Sequence, residues 1–234
     1  MKILVSLFIL SVCSSSALAQ LTPTVNPVID QFGTIKSRNT ENGKTNKIQS
    51  VYLYDAWINA DIYIQQPGGT PVKVEGIPTK LDLITSTLEL ETSRGIKVLP
   101  LSKVDRFEWI NPVSQTREVF TNGSKFSFNG TKVESLCGIF GDDVKMVTYH
   151  YVEILPADYN VALDVGSKEE KVIKKSKFYL LRGNELVEFT RKSVIALMDE
   201  KGDQIKQFIK KNRVNFAHEG DLRSLVKYCD SLVQ

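Results

Sequence analysis

Apolar side chains recur at every second position through the first half of the chain, from Val51 to Ile110. Alternate residues of an extended chain point to opposite faces, so this pattern predicts strands with one buried and one solvated face. The apolar runs are Val51 to Trp57, Ile62 to Ile64, Val72 to Val74, Leu81 to Leu83, Leu88 to Leu90, Ile96 to Val98 and Phe107 to Trp109. We expect an antiparallel meander whose buried face is anchored by Trp57 and Trp109, because large aromatics bury the most area.

Turn-forming residues separate these runs. Gln65 to Pro71, Gly76 to Pro78 and Thr92 to Gly95 are each predicted to end one strand and begin the next. Asn122-Gly123 and Asn129-Gly130 predict two type I′ hairpin turns, since both residue types accept the left-handed conformation. With Ser124 and Thr131 as the third residues, both Asn-Gly pairs also match the N-glycosylation pattern. Their role in turns explains them without glycans.

The longest strand candidate is Val144 to Leu155, whose apolar residues fall on both faces, as in a central strand. After a charged segment, Phe178 to Leu181 and Leu186 to Phe189 predict a last hairpin. Residues Arg182 to Glu185 would form its turn.

The hydrophobic period changes from two to 3.6 residues after Phe189. Thr190 is placed as an N-cap, and Phe189 with Val194 as a hydrophobic staple. The apolar stripes of the helices that follow contain Val194, Ile195, Met198, Ile205, Phe208, Ile209, Leu222, Leu225, Val226, Cys229 and Leu232. Each helix has one apolar stripe only and must lay it on another element.

The fold class is therefore predicted as α+β, an antiparallel twisted β-sheet or meander followed by C-terminal amphipathic helices. The predicted organisation is a signal peptide at 1–19, a flexible polar lead-in at 20–47, an antiparallel β domain at 48–190 and helices packed on the sheet at 191–234. Within the lead-in we expect one short strand, near Phe32 to Ile35.

The first residues have the order of a secretory signal peptide. Lys2 is followed by the apolar run Ile3 to Val12, and Ala17-Leu18-Ala19 forms a cleavage site before Gln20. Acylation of Cys13 is the alternative, but the bulky residue before it is unfavourable. We expect an exported protein, periplasmic or at the cell surface. No later apolar run is long enough for a transmembrane segment after cleavage.

The charge is nearly balanced, since the formal net charge of +3 falls to +2 when Lys2 is removed. This balance argues against a nucleic-acid partner. From Ser167 onward the chain carries 15 Lys and Arg against 10 Asp and Glu, so its C-terminal part could attract an anionic partner. Solvated helix and hairpin faces are the simpler interpretation of these lysines.

Two cysteines, Cys137 and Cys229, remain after removal of the signal peptide. In an oxidising compartment they could form a disulfide that contributes about 2–4 kcal/mol. Cys229 also falls on the apolar stripe of the final helix, where a free cysteine packs as a small hydrophobic residue.

Few side chains suit catalysis. The two histidines are His150, inside a predicted strand, and His218, at a predicted helix entry. The motifs of zinc proteases, paired-cysteine sites, nucleophile elbows and phosphate loops do not occur, so no cofactor or metal is predicted. Asp142 and Asp143 offer too few ligands at too short a spacing for a calcium loop. Asp55 and Asp61 could form a glycosidase acid/base pair, but turn and strand-edge carboxylates are the simpler interpretation.

The chain resembles a loose group of uncharacterised exported proteins that is common in Bacteroidetes-type bacteria. The resemblance rests on the signal peptide, Tyr54-Asp55-Ala56-Trp57, Phe107-Glu108-Trp109, the hairpin at Tyr179-Leu180-Leu181 and the tail Leu225-Val226-Lys227-Tyr228. It covers most of the mature chain through patterning, and it implies a periplasmic or surface location without implying an activity.

We therefore expect a non-enzymatic exported envelope protein that acts as a binding or structural module. Strand edges can take up an extended peptide, which favours an envelope protein as partner. The alternatives are a carboxylate-dependent hydrolase of cell-wall or glycan substrates, acting through Asp55 or Asp61, and a carrier of an apolar ligand.

Overall fold

A computed structural model gives the fold and describes residues 34–35, 51–158, 165–166 and 170–233. The signal peptide predicted at 1–19 lies outside the described residues. So does the lead-in predicted at 20–47, apart from its two-residue strand Thr34–Ile35, which falls inside the predicted span.

One mostly antiparallel sheet contains the thirteen strands of the described residues, and three helices follow it, which confirms the α+β prediction. The strands are β1 (Thr34–Ile35), β2 (Ile58–Ile64), β3 (Val72–Asp82), β4 (Thr87–Thr92), β5 (Gly95–Leu99), β6 (Val104–Ile110), β7 (Arg117–Asn122), β8 (Ser127–Phe128), β9 (Thr131–Lys132), β10 (Leu136–Phe140), β11 (Met146–Leu155), β12 (Lys171–Arg182) and β13 (Glu185–Glu188). Their spatial order is β1-β5-β4-β3-β2-β6-β7-β10-β11-β12-β13-β8-β9.

The first half of the sheet buries one face around a continuous apolar core. Ile62 and Ile64 of β2 alternate with half-exposed polar neighbours, as the two-residue period predicted. Phe107, Phe120 and Trp109 pack together, with the two phenylalanine rings stacked 4.7 Å apart. Trp109 is thus a core anchor, as predicted.

Trp57 and the segment around it differ from the prediction. Residues 51–57 do not form a full strand, and only Tyr52 makes a β-bridge, to Asp82. Trp57 stays half-buried outside the core, where the Lys80 ammonium lies 4.8 Å from the centre of its ring. This position suits an amphipathic ring that is covered by a cation rather than by apolar side chains.

Two predicted turns are wrong, and both errors have a local cause. Gly76 lies inside the long strand β3, where its positive φ of 64° accompanies a register shift against β2 rather than a chain reversal. Asn122 has an extended backbone, and its buried side chain donates to the carbonyls of Leu101 and Val104. Only Asn129-Gly130 forms the predicted left-handed turn, with φ of 50° and 75°.

The second half of the chain follows its predictions more closely. β11 matches the long strand candidate, and β12 and β13 form the last hairpin, with Leu181 opposite Leu186. The helices are α1 (Arg191–Leu197), α2 (Gly202–Asn212) and α3 (Glu219–Val233). Thr190 caps α1 in a reciprocal capping box with Ser193, and Phe189 and Val194 are both buried in the same core cluster.

The two faces of β10–β13 have different surroundings. On one face Met146, Leu180 and the apolar stripes of all three helices form a single cluster, which confirms that the helices sit on the sheet. On the opposite face Cys137, Val147, Tyr179 and Leu186 form a smaller cluster with half-buried aromatic neighbours. We call these the helix face and the outer face.

Candidate functional site

Asp55 and Asp61, the two carboxylates of the hydrolase hypothesis, each form an ion pair with a lysine. Asp55 is exposed and lies 3.1 Å from the Lys174 ammonium. Asp61 lies 2.9 Å from Lys73 and accepts the backbone N–H of Gly76. The hydrogen bond from Lys73 is the main cause that lowers the pKa of Asp61. A general acid needs a raised pKa, so the geometry at Asp61 opposes that role.

A polar cluster that the sequence did not indicate joins β6, β7 and α3. We call it the Glu118 cluster. The Glu118 carboxylate accepts from the Tyr54 hydroxyl at 3.1 Å, from Trp109 Nε1 at 3.0 Å and from Asn111 Nδ2 at 2.7 Å. Arg223 of α3 lies 3.8 Å from the same carboxylate. With its lone pairs engaged by several donors, Glu118 is suited to fixing structure rather than to accepting a substrate proton.

Two further contacts of Arg223 complete this junction between helix and sheet. Arg223 pairs with Glu219 at 2.7 Å, and its guanidinium lies 4.7 Å from the centre of the Phe140 ring. Burial, reinforced by the Glu118 carboxylate, raises the pKa of Tyr54. The Tyr54 phenol therefore keeps its proton and acts as a hydrogen-bond donor.

His150 lies beside this cluster, on the helix face of β11. Its Nδ1 is 2.8 Å from Ser176 Oγ on β12, and its ring is tilted against Phe120. Burial lowers the pKa of His150, although Glu219 and Glu118 act in the opposite direction. A neutral histidine bonded to a strand serine has a structural role, and it lies inside a strand as predicted.

The remaining sequence candidates also make local structural contacts. His218 bonds Asp221 at the entry of α3, at 3.1 Å. The turn that contains Asp142 and Asp143 points its backbone N–H groups at a buried carboxylate, Asp230 of α3. Within the described ranges, no three His, Cys, Asp or Glu side chains are grouped so that they could hold a metal ion.

The structure contains no disulfide between the two cysteines of the described chain. Cys137 and Cys229 are free, buried thiols. Cys137 belongs to the cluster on the outer face and Cys229 to the cluster on the helix face, so the sheet separates them. Burial raises the pKa of both thiols to about 12, which keeps them protonated and unreactive.

A further candidate site is an edge of β12. β12 pairs with β11 from Lys171 to Leu180, but β13 pairs only with the end from Tyr179 to Arg182. After Phe189 the chain leaves the sheet to begin α1. In the described part of the chain, no strand pairs with residues 173–177 on the β13 side, and we call this stretch the open edge.

The hydrogen bonds of β12 define which backbone groups face the open edge. Phe189 donates to the Phe178 carbonyl from the β13 side, whereas Leu181 donates to Lys145 on the opposite side. Because successive residues of a strand turn their backbone groups to opposite sides, Lys174 and Ser176 present theirs to the open edge. An added strand can bond to these groups without disturbing the ladder with β11.

A cleft of about 300 Å³ lies where β13 departs from β12. We call it the edge cleft. It is lined by Ser176, Lys177, Phe178, Tyr179, Glu188, Phe189, Thr190, Phe216 and Ala217. The Phe189 and Phe216 rings are 6.1 Å apart and form its apolar wall together with Phe178. The loop between α2 and α3 supplies Phe216, a contribution that no local sequence pattern predicts.

A second pocket, of about 220 Å³, opens on the outer face. Phe128, Tyr149, Tyr179 and Leu186 provide most of its apolar lining. Ligand pockets of about 300–1,000 Å³ are usual for small molecules, so this pocket is small for the apolar carrier hypothesis.

No family model, no curated protein and no solved structure matches the chain. Among the described residues, no helix combines the length and the apolar character that are needed to cross a membrane.

Proposed function

We propose that the protein is an exported, non-enzymatic binding module of the cell envelope that takes up an extended peptide segment as an additional strand on β12. The observation that carries the proposal is the open edge. Residues 173–177 of β12 pair with β11 on one side, and on the other side the edge cleft lies next to them. Export is supported by the signal-peptide pattern of residues 1–19.

Strand addition explains why backbone groups and a cleft occur together. A bound peptide would continue the line of β13 and bond to the N–H and C=O groups of Lys174 and Ser176. Main-chain bonds of this kind provide affinity, and pockets for alternate side chains provide specificity. The edge cleft lies within reach of the residue opposite Ser176.

Self-association through the same edge is disfavoured by charge. The segment 171–177 contains four lysines and no carboxylate. Lysines along an edge are a common protection against pairing between identical strands, because like charges directly opposite each other are destabilising. The edge therefore discriminates against a second copy while it stays accessible to a ligand of different charge.

The experiment begins with selection of short random peptides displayed on phage against the mature chain, residues 20–234. Synthetic versions of the selected peptides are then measured against Lys174→Pro and Lys174→Ala. Proline removes the outward N–H of residue 174 and leaves the ladder with β11 intact, a substitution that edge strands tolerate. Alanine removes the same side chain and keeps the N–H, so it is the matched control.

We expect about tenfold weaker binding for Lys174→Pro than for Lys174→Ala, because a backbone bond and close approach of the added strand are lost. N-methylation of single peptide bonds in the ligand should weaken binding at alternate positions only, since alternate N–H groups of an added strand face β12. Equal binding by the two variants, or tolerance of N-methylation at every position, would exclude strand addition.

A further inference from the structure

We infer that the segment bound at the open edge carries an acidic residue, a large apolar residue and a second acidic residue in succession. This inference rests on the proposed strand addition and adds the chemical class of the ligand. It follows from the side chains that the two faces of β12 present along the edge.

The outer face of the open edge is basic. Paired residues of antiparallel strands share a face, so Lys175 and Lys177 lie on the outer face with their partners Tyr151 and Tyr149. Lys175 pairs with Glu153, and the Lys177 ammonium lies 5.5 Å from the centre of the Tyr151 ring. Residues of an added strand opposite these two lysines would meet two ammonium groups, and carboxylates complement them.

On the helix face, the end of the open edge next to β13 is apolar. Between the two lysines, Ser176 points to the helix face, where Phe178, Phe189 and Phe216 form the wall of the edge cleft. A ligand side chain opposite Ser176 is therefore directed at this wall. Phe216 is only half-buried, so a large apolar ligand side chain would remove further ring surface from water.

Two carboxylates of the protein, Glu188 and Glu153, limit the acidic preference. Glu188 lines the edge cleft and lies opposite Tyr179. An acidic ligand residue opposite Lys177 would be next to Glu188. The ligand residue opposite Lys175 would lie two residues further along β12 from Glu188. Glu153 already pairs with Lys175, so the acidic residue opposite Lys175 also has a carboxylate of the protein nearby, and neither acidic position is favoured over the other.

Three synthetic peptides of identical composition test the order of residues. Each contains two glutamates and one phenylalanine between the same flanking threonines, arranged as Glu-Phe-Glu, Glu-Glu-Phe or Phe-Glu-Glu, and labelled for fluorescence anisotropy. We expect Glu-Phe-Glu to bind about tenfold more tightly than the other two, because only this order places both charges on one face. A Lys-Phe-Lys peptide should bind more weakly still.

Protein variants identify the groups that read the ligand. Lys177→Ala should weaken Glu-Phe-Glu about three- to fivefold and reduce the salt dependence of binding. The matched control is Lys210→Ala, which removes an exposed lysine of α2 that is remote from β12 in the sequence and should bind unchanged. Replacement of the peptide phenylalanine by serine tests the edge cleft without any risk to the protein fold.

The outcomes separate this inference from the proposed function. If peptides of other character bind with sensitivity to Lys174→Pro, strand addition stands and the acid–apolar–acid preference is overturned. Equal affinity for the three orders of residues would overturn it as well. If the chain itself sediments as a dimer and Lys174→Pro makes it monomeric, a second copy occupies the edge and both proposals fail.

Discussion

Asp230 offers the sharpest test of how the helices are attached to the sheet. It lies on the buried stripe of α3, only 7% exposed, and it caps the turn between β10 and β11. Its carboxylate accepts the backbone N–H groups of Asp142 and Asp143 at 3.1 Å each and of Val144 at 2.7 Å. Replacing Asp230 by alanine removes both acceptor oxygens and therefore all three hydrogen bonds at once.

The expected loss follows from the burial of the three donors. The N–H of Val144 is buried, so leaving it unpaired costs about 2–3 kcal/mol. Asp142 and Asp143 are exposed, so water can replace the carboxylate and each lost bond costs only about 0.5–1 kcal/mol. Asp230→Ala should therefore lower the free energy of unfolding by about 3–5 kcal/mol. For a chain of this size that loss corresponds to a fall of roughly 6–20 °C in Tm.

The assay is urea denaturation of the mature chain, followed by tryptophan fluorescence, with the buried Trp109 as a reporter. Asp230→Asn keeps one acceptor oxygen and should lose only about 1–2 kcal/mol. Asp203→Ala is the control, since Asp203 is an exposed helix carboxylate paired with Lys206, and its removal should change stability by less than about 0.5 kcal/mol. A loss below about 1 kcal/mol for Asp230→Ala would refute the reasoning.

Three further predictions concern other parts of the fold. Burial lowers the pKa of His150. As the pH falls, this histidine therefore binds a proton in the unfolded chain before it does so in the folded chain. The free energy of unfolding should thus fall as the pH drops below about 6.5. His150→Gln should flatten this slope in urea titrations between about pH 7.5 and about pH 5; an unchanged slope would contradict the assignment. Thr190→Ala removes the cap of α1 and should cost about 1 kcal/mol by urea denaturation, and a loss of helical circular dichroism beyond α1 would contradict a local role. At Gly141, φ is 97° and an added Cβ would lie 2.1 Å from the Val144 carbonyl oxygen, so Gly141→Ala should cost more than about 3 kcal/mol. Gly183→Ala, also at positive φ but with nothing within 4 Å, should cost only about 1–2 kcal/mol in the same assay, and equal losses would show that the contact does not matter.

The position of the open edge could be predicted from the sequence only in general terms. A protein rich in short strands must have edges, so the sequence supported an extended peptide as partner. Which edge stays open depends on where β13 leaves β12, and on where the loop between α2 and α3 places Phe216. These elements come into contact only when the helices pack on the sheet, so no local sequence pattern predicts the contact.

The Glu118 cluster shows the same limit for polar side chains. Glu118 lies in an alternating strand, where a carboxylate is ordinarily solvated. Tyr54 is 64 positions away from it in the sequence, and Arg223 reaches it from the final helix. The sequence contains a weak indication that Asp230 is buried, because it directly follows Cys229 on the apolar stripe. It did not indicate which groups Asp230 bonds.

Local chemistry by itself determined the alternation of the strands, the cap at Thr190, the left-handed turn at Asn129-Gly130 and the stripes of the helices. Each depends on residues within a few positions of one another, where backbone sterics and the period of burial act directly. The tertiary structure decided the rest. It buried Asn122 instead of leaving it in a turn, and it separated Cys137 from Cys229 on opposite faces of the sheet. Among the described residues, it also left 173–177 of β12 without a strand on the β13 side, because long-range packing alone selects which polar groups and edges find partners.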